Sequence, residues 1–200
     1  MGYSRADKAQ SHERIVKTAA ARFREKGIDG ISLADLMKEA GLTHGGFYRH
    51  FESRDALVAE AVDCALHASD GTLCNMVDDK GAVDLARYIE EYLSTEHRDN
   101  PAVGCAMAAL TGDIARSGAQ ARALYSAHIE RLVSRLVPLL GEARPAAQRR
   151  SHALVIVTTM SGALGMARAT NDPKLSGELL AAARERLIDD LERIVEPQAR

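Results

Sequence analysis

The chain has 200 residues and a mass of 21.6 kDa, which suffices to bury a hydrophobic core in one domain or in two smaller ones. Its 26 Lys and Arg against 28 Asp and Glu give a formal net charge of −2, which argues against a histone-like or ribosomal protein. A nucleic-acid-binding protein with locally placed basic residues is not excluded. Residues 1–55 carry 10 basic and 8 acidic side chains, whereas residues 56–200 carry 16 and 20.

The composition favours an all-α intracellular protein. Ala occurs 34 times, and Ala is the best helix former and a poor strand former. The three cysteines, Cys64, Cys74 and Cys105, lack zinc-ligand spacing and predict reduced thiols. No apolar stretch is long enough to span a membrane, and the polar N-terminus lacks a signal-peptide pattern. We therefore expect a cytoplasmic protein without a metal or another cofactor.

Hydrophobic periodicity and the positions of Gly and Ser predict four helices in the N-terminal third. The first helix covers about residues 11–27 and ends at Gly27. Each of the next three helices has a candidate N-cap: Ser32, Thr43 and Ser53. Gly41 supplies the left-handed backbone conformation that ends the second helix. Two short helices separated only by A-G-L predict a helix-turn-helix, although any small helical hairpin would share this spacing.

The remainder of the chain is also predicted to be helical, at residues 82–96, 102–115, 119–140, 146–169 and 174–195. His97–Asp99 is a polar cluster that we expect in a solvated loop before Pro101 rather than in a catalytic site. Residues 152–167 are apolar nearly all round, and such a helix must be covered on most sides. We expect part of that cover to come from a second subunit.

Residues 43–54 read T-H-G-G-F-Y-R-H-F-E-S-R and hold three of the eight aromatic residues of the chain. Phe47 and Phe51 are four residues apart, so we expect them to pack against the first helix. Tyr48 and His44 share another helix face, close to three further basic side chains: Arg49, His50 and Arg54. Side chains of these types donate hydrogen bonds to phosphate oxygens.

The run G-I-D-G-I-S-L-A-D-L-M-K-E-A-G-L-T-H-G-G-F-Y-R-H-F-E-S-R-D-A-L resembles the DNA-binding half of the tetracycline repressor (TetR) family of bacterial transcription regulators. The resemblance is close over about residues 12–62, and beyond them only the helix pattern matches. It implies an all-α homodimer with an N-terminal three-helix helix-turn-helix DNA-binding head, residues 1–55. This head is joined to a C-terminal helical ligand-binding and dimerisation body, residues 56–200.

The same resemblance assigns DNA binding to nine positions: Ser32, Thr43, His44, Gly45, Gly46, Tyr48, Arg49, His50 and Arg54. Among them, Tyr48 and His50 match the pair that holds phosphate, and the backbone N–H groups after Ser32 are suited to phosphate as well. Arg54 stands where the family usually has Lys. We also expect Arg5 and Lys8 to reach DNA from a mobile N-terminal arm.

Gly45 and Gly46 depart from the family pattern because they place no side chain on the recognition helix. They allow the backbone to approach DNA closely, and they leave Thr43 and His44 as the base-reading side chains. Sequence preference would then depend more on DNA shape. Under the other interpretation, the glycines merely permit a tight helix start.

The C-terminal half is predicted to dimerise and to bind an effector. Helices 146–169 and 174–195 of two subunits would form a four-helix bundle, unless they only complete the monomer core. Twofold symmetry then implies a palindromic operator. Seven side chains are candidates to line a pocket for a small, largely apolar effector, although each is alternatively an ordinary core residue: Tyr88, Tyr92, Cys105, Met107, Tyr125, His128 and Met160.

These observations predict a ligand-responsive regulator, expected to be a repressor, that is released from double-stranded operator DNA by its effector. One alternative is a redox or electrophile sensor that uses Cys105 at a predicted helix start. A second alternative is a helical small-molecule-binding protein that does not bind DNA. An enzyme is not expected, because the sequence has no phosphate-binding loop, nucleophile elbow, zinc-protease or dinucleotide-binding motif.

Overall fold

The computed structural model describes residues 5–68, 83–141 and 144–195, with side chains up to residue 193. These residues form helices and connecting segments without a β-strand, which confirms the predicted all-α class. The helices are α1 (Arg5–Lys26), α2 (Leu33–Glu39), the 3₁₀ helix η1 (His44–Arg49), α3 (Arg54–Ala68), α4 (Leu85–Tyr92), α5 (Thr95–Asp99), α6 (Ala106–Arg116), α7 (Ala119–Leu136), the 3₁₀ helix η2 (Val137–Leu140), α8 (Ala146–Ala169) and α9 (Pro173–Val195). Cys74 lies outside the described residues.

The described residues divide into two compact units. The first unit comprises residues 5–68 and 101–126, and the second comprises residues 83–100, 127–141 and 144–195. Helix α7 contributes residues to both units. The boundary near residue 55 between DNA-binding and effector-binding parts is a functional division and stays a prediction.

In the first unit, α1 packs against α2, α3 and α6, and α2 packs against η1. The apolar residues that these helices bury include Ile15, Phe23, Leu36, Met37, Phe47, Leu57, Leu66, Leu110 and Ile114. Burial of such side chains is the main favourable contribution to folding, at about 1.5–3 kcal/mol for each large one. The N-terminal three-helix arrangement is thus held by a shared core.

The turn between α2 and η1 has the geometry that its sequence predicts. Gly41 has φ +72°, and its N–H bonds to the carbonyl of Lys38 at 2.9 Å. The N–H of Leu42 bonds to the carbonyl of Met37, also at 2.9 Å. This pair of bonds is a Schellman motif, which needs a residue that tolerates the left-handed conformation. Gly27, with φ +79°, ends α1 in the same conformation.

In the second unit, α8 packs against α9, and α5 and η2 pack against α8. Arg168 of α8 holds α5 by donating to the carbonyl of Arg98 at 3.0 Å and to the carbonyl of His97 at 2.7 Å. Arg98 donates to Ser176 Oγ at 3.0 Å, and Ser176 in turn donates to the carbonyl of Ala167. A polar network therefore fixes α5 against the turn between α8 and α9.

Several predicted boundaries differ from the structure. The predicted helix 82–96 is two helices, α4 and α5, because Ser94 caps a new helix by accepting from the N–H of His97 at 3.1 Å. The prediction that His97–Asp99 lies in a loop is therefore wrong. The predicted helix 119–140 changes to 3₁₀ geometry after Leu136, where Pro138 has no N–H to donate.

Other boundaries follow the sequence more closely. Helix α8 matches the predicted range, and α9 begins one residue before its predicted start at 174. The predicted helix 102–115 begins only at Ala106, after a turn that contains Pro101 and Gly104. Helix α1 begins at Arg5, so Arg5 and Lys8 are helical and the predicted mobile arm is wrong for these two residues. No helix in the described part of the chain is long and apolar enough to cross a membrane.

We predict that Arg168→Met lowers the free energy of unfolding by about 1–2 kcal/mol, because two backbone carbonyls lose their donor. Urea unfolding followed by circular dichroism measures this change. Arg186→Met is the matched control, since Arg186 is exposed on α9 and forms an ion pair with Asp190 one turn away. Its effect should stay within about 0.5 kcal/mol. Equal effects of both substitutions would show that the Arg168 network does not hold α5.

Candidate nucleic-acid interface

Two buried aromatic rings determine which side of η1 faces outward. Phe47 is 1% exposed and its ring stacks on that of Phe51, with centroids 5.4 Å apart. Both side chains are buried in the first unit, and Phe51 packs on His12 of α1, as predicted for this ring. Tyr48 consequently points away from the core and is 73% exposed, and Arg49 is exposed beside it. Side chains of the phosphate-binding type therefore lie on the outer surface of η1.

The recognition segment, residues 43–49, starts differently from its prediction. Thr43 does not cap η1 with its side chain; instead its carbonyl accepts from the N–H of Gly46 at 2.9 Å. This bond closes a 3₁₀ turn, which satisfies the first free N–H without the hydroxyl. The helix also ends at Arg49 and does not run through Phe51. Thr43 and His44 are both exposed, so their side chains remain accessible.

The fold does not require glycine at positions 45 and 46. A Cβ atom at Gly45 would meet nothing within 4 Å. A Cβ atom at Gly46 would lie 3.7 Å from Thr43 Oγ1 and 3.9 Å from Met37 Cε, which are ordinary contacts. Neither residue has a positive φ. Packing and backbone conformation therefore leave the paired glycines unexplained, and a requirement of a bound partner would account for them.

A groove of about 800 Å³ adjoins the recognition segment, and it is lined by Arg5, Lys8, Gly41, Leu42, Thr43, Gly46, Arg49 and His50. Its charged side chains are all basic and come from α1 and η1. The sequence analysis did not include Gly41 and Leu42 in the site. Arg5 and Lys8 are three residues apart, so a helix over this segment would have predicted that both side chains lie on one face. The groove has the charge that a phosphate backbone requires.

His50 lies at the inner edge of this groove. Its Nδ1 is buried and has no hydrogen-bond partner among the described residues. A proton on this nitrogen would leave a buried donor unsatisfied, which favours the tautomer that carries its proton on Nε2 when the ring is neutral. Burial, followed by the charges of His12, Lys8 and Arg49, holds the pKa of His50 below its ordinary value. The ring therefore offers one N–H donor.

Arg54 and Ser32 make bonds within the protein. The Arg54 guanidinium donates to the carbonyl of Ile28 at 2.7 Å and lies 3.5 Å from Asp29. It therefore ties the start of α3 to the segment that follows α1. Ser32 Oγ accepts from the N–H of Asp35 at 3.1 Å, which confirms the predicted cap of α2. DNA contact by either residue stays a prediction, because each has a structural role that explains its presence.

The seven effector candidates are divided between the two units. In the first unit, Cys105 and Met107 are buried and Tyr125 is half-buried. Thr111 Oγ1 donates to the carbonyl of Met107 at 2.6 Å, so the Tyr125 hydroxyl donates to Thr111 at 2.6 Å. Burial raises the pKa of Tyr125. Thr111 was not among the sequence candidates, because a helical Thr carries no distinguishing pattern.

In the second unit, Tyr88, His128 and Met160 are buried and Tyr92 is half-buried. The rings of Tyr88 and Tyr92 lie 6.0 Å apart, and His97 meets Tyr92 edge-on at 4.7 Å. Arg131 donates to His128 Nδ1 at 3.4 Å. Burial lowers the pKa of His97, which was not an effector candidate. A role in effector binding remains a prediction for the three candidates of the first unit and for the four candidates of the second.

Cys105 is the N-cap residue of α6, close to the predicted helix start. Its side chain is only 5% exposed, and burial limits the access of an oxidant or electrophile.

Among the described residues, no group of three or more His, Cys, Asp and Glu side chains could hold a metal ion. The outer surface of η1 and its groove are therefore the site with the clearest chemistry.

Comparison with known proteins agrees with this location. Residues 15–61 match the model of the family described as bacterial regulatory proteins, tetR family. An HTH-type transcriptional regulator of Mycobacterium tuberculosis, MT0206, is 26% identical over 80% of the chain and 85% of its own length. The IcaR negative transcriptional regulator of the biofilm operon icaADBC in Staphylococcus aureus is 33% identical over 26% of the chain and 28% of its own length. The HTH-type transcriptional regulator YerO of Bacillus subtilis is 26% identical over 45% of the chain, and this match spans only 31% of the length of YerO.

The fold extends this likeness beyond the matched residues. A TetR-family transcriptional regulator from Cytophaga hutchinsonii superposes with a TM-score of 0.78 over 99% of the chain and 100% of that protein, at 22% identity. The helix-turn-helix segment, the regulators among its relatives and the shared all-helical fold agree with one another. The family match over residues 15–61, the regulators among the relatives and the shared all-helical fold together support a TetR-family regulator.

Proposed function

We propose that the protein is a ligand-responsive transcriptional repressor that binds a palindromic DNA operator as a homodimer and leaves it when a small effector binds. The observation that carries this proposal is the outer surface of η1, where Tyr48 and Arg49 are exposed beside a basic groove. Phosphate contacts of this kind set the register of a recognition helix on DNA. Thr43 and His44 are exposed on the same segment and would reach base edges.

Repression is the simplest regulatory outcome for such a protein. A dimer bound at an operator blocks access to that DNA, and no further activity is needed. IcaR is named as a negative regulator, which supports the same role here. Chromosomal DNA is the ligand, so we place the protein in the cytoplasm. Catalysis is not part of the proposal, because the groove and the polar network around α5 are explained without it.

The exposed face of α8 supports dimerisation with a second copy of the chain. Val155 is 50% exposed and Met166 is 60% exposed, and Leu154 and Leu175 add further exposed apolar surface. From Leu154 to Met166, the exposed residues of α8, which include Thr158 and Gly162, lie on one side of the helix and form one stripe. An exposed apolar stripe of this kind is typical of an interaction surface. A twofold interface through α8 and α9 would cover it.

Effector release is proposed as a population shift. An effector that binds one conformation of the helical body better than another favours that conformation in proportion to the difference in affinity. A conformation that displaces α3 would move the recognition segments of a dimer out of register with the operator. The predicted effector residues of the two units are the starting points for substitution. The buried position of Cys105 does not favour a thiol sensor, and the basic groove does not favour a protein without DNA binding.

The most informative test is selection of bound duplexes from a random DNA pool by the full-length protein. We expect enrichment of a palindrome whose half-sites lie about one helical turn apart or a multiple of it. The same protein should lose affinity steeply as salt rises, because phosphate contacts release counterions. Failure to enrich any duplex would contradict DNA binding, and an asymmetric single site would contradict the twofold dimer.

We predict that Gly45→Ala separates stability from DNA binding. The added Cβ has free space and Ala favours a helix, so the free energy of unfolding should rise by up to about 1 kcal/mol. Operator affinity should fall about tenfold or more if the backbone here lies against DNA. Gly118→Ala is the control, since its Cβ also meets nothing within 4 Å and it lies outside the recognition segment. Unchanged operator affinity in Gly45→Ala would show that DNA does not approach this backbone.

A further inference from the structure

A second histidine lies behind the outer surface of η1. His12 of α1 donates from Nε2 to Glu60 Oε2 of α3 at 2.6 Å. Its ring also stacks on Phe51, with centroids 4.5 Å apart and an angle of 25° between the ring planes. Glu60 belongs to α3, whereas Phe51 follows η1 directly. His12 therefore contacts both α3 and the end of the recognition region.

His12 also lies next to His50, with ring centroids 6.1 Å apart. Phe51 contacts both imidazoles, since its centroid is 6.4 Å from that of His50. Because His50 Nδ1 has no hydrogen-bond partner among the described residues, no bond at that nitrogen fixes the ring. The orientation of His50 at the groove therefore depends on the rings that pack against it.

We propose that His12 is a positioning residue for operator binding: held by Glu60 and stacked on Phe51, it keeps the His50 ring in place to donate from Nε2 to a DNA phosphate. This inference rests on the proposed function, because its ligand is the operator duplex. It also gives α3 a direct connection to a DNA-contacting side chain. A shift of α3 that moved Glu60 would disturb His50 without altering η1 itself.

Bulk electrostatics and the positioning role predict opposite effects on DNA affinity when Glu60 is removed. Glu60 carries a negative charge that repels DNA, so its removal alone should strengthen binding. The positioning role predicts weaker binding when Glu60 is removed. Glu13 of α1 is a matched control, because its carboxylate also accepts a bond from a side chain, that of Lys17, at 2.6 Å. The Glu13 side chain is 64% exposed and that of Glu60 is 47% exposed.

The experiment measures duplex affinity of the full-length protein by fluorescence anisotropy, using a duplex selected from the random pool. Glu60→Ala should weaken binding about fivefold, the loss expected for one partly exposed charge-assisted hydrogen bond. Glu13→Ala should bind as tightly as the wild type or more tightly. Glu60→Gln keeps an acceptor for His12 and should restore affinity to within about twofold of the wild type. Thermal unfolding of each variant identifies the temperature range in which all are folded.

A second variant, His12→Phe, keeps a ring on Phe51 but removes the bond to Glu60. It should weaken binding about as much as Glu60→Ala, and the double variant should be no weaker than either single one. The charged groups facing His50 are His12 and Lys8 on α1 and Arg49 on η1, with Glu60 of α3 behind His12. Because His12 lowers the pKa of His50, its loss should raise that pKa in an NMR titration.

The outcomes separate the two proposals. Wild-type protein that binds no duplex would overturn the proposed function, and the inference would fall with it. Salt-dependent binding by the wild type, together with unchanged or tighter binding by Glu60→Ala, would overturn the inference alone. Additive losses in the double variant would likewise show that His12 does not position His50 through its bond to Glu60.

Discussion

The burial of Phe47 and Phe51 in the core of the first unit is the constraint on which the proposed DNA-binding surface depends. Two rings four residues apart can both enter the core only if the segment between them turns its opposite side outward. This packing places Tyr48 and Arg49 on that side. The recognition segment is short and 3₁₀ in geometry, so it has little intrinsic helix stability. Its position is therefore set by the core and by the Schellman turn at Gly41.

The near-neutral charge of the chain is compatible with this arrangement. The first 55 residues have only two more basic than acidic side chains, so a general attraction to DNA is weak. In the proposed dimer, affinity for DNA would then come from a few placed donors and from the use of two heads. Regulators of this kind can leave their site, because the loss of a few well-aligned contacts lowers affinity strongly. Through the proposed connection from Glu60 through His12 to His50, a helix behind the surface would influence those contacts.

Local features of the fold followed directly from the sequence, whereas features that depend on distant partners did not. Gly27, Gly41 and the cap at Ser32 act through their own backbone, and their positions were predicted from residue type alone. The start of α1 was not found, because residues 5–10 are exposed and carry no apolar period. The break between α4 and α5 was also missed, since the Ser94 cap lies within an otherwise helical pattern.

The candidate site shows the same contrast. Tyr48 and Arg49 were identified by the motif and by their place opposite the buried rings. The bond from Arg54 to the carbonyl of Ile28 crosses 26 residues of sequence, and no periodicity reveals it. His12 was overlooked for the same reason, because its partners Glu60 and Phe51 are near it only in the folded protein.

The salt dependence of duplex binding tests the central claim most directly, namely that the outer surface of η1 contacts DNA phosphates. Arg49→Gln removes one exposed cation from η1, and Arg116→Gln removes an exposed cation from α6 in the same unit. The account predicts that Arg49→Gln lowers the slope of log affinity against log salt by about 1, while Arg116→Gln leaves it unchanged. Equal slopes for Arg49→Gln and the wild type would contradict the account.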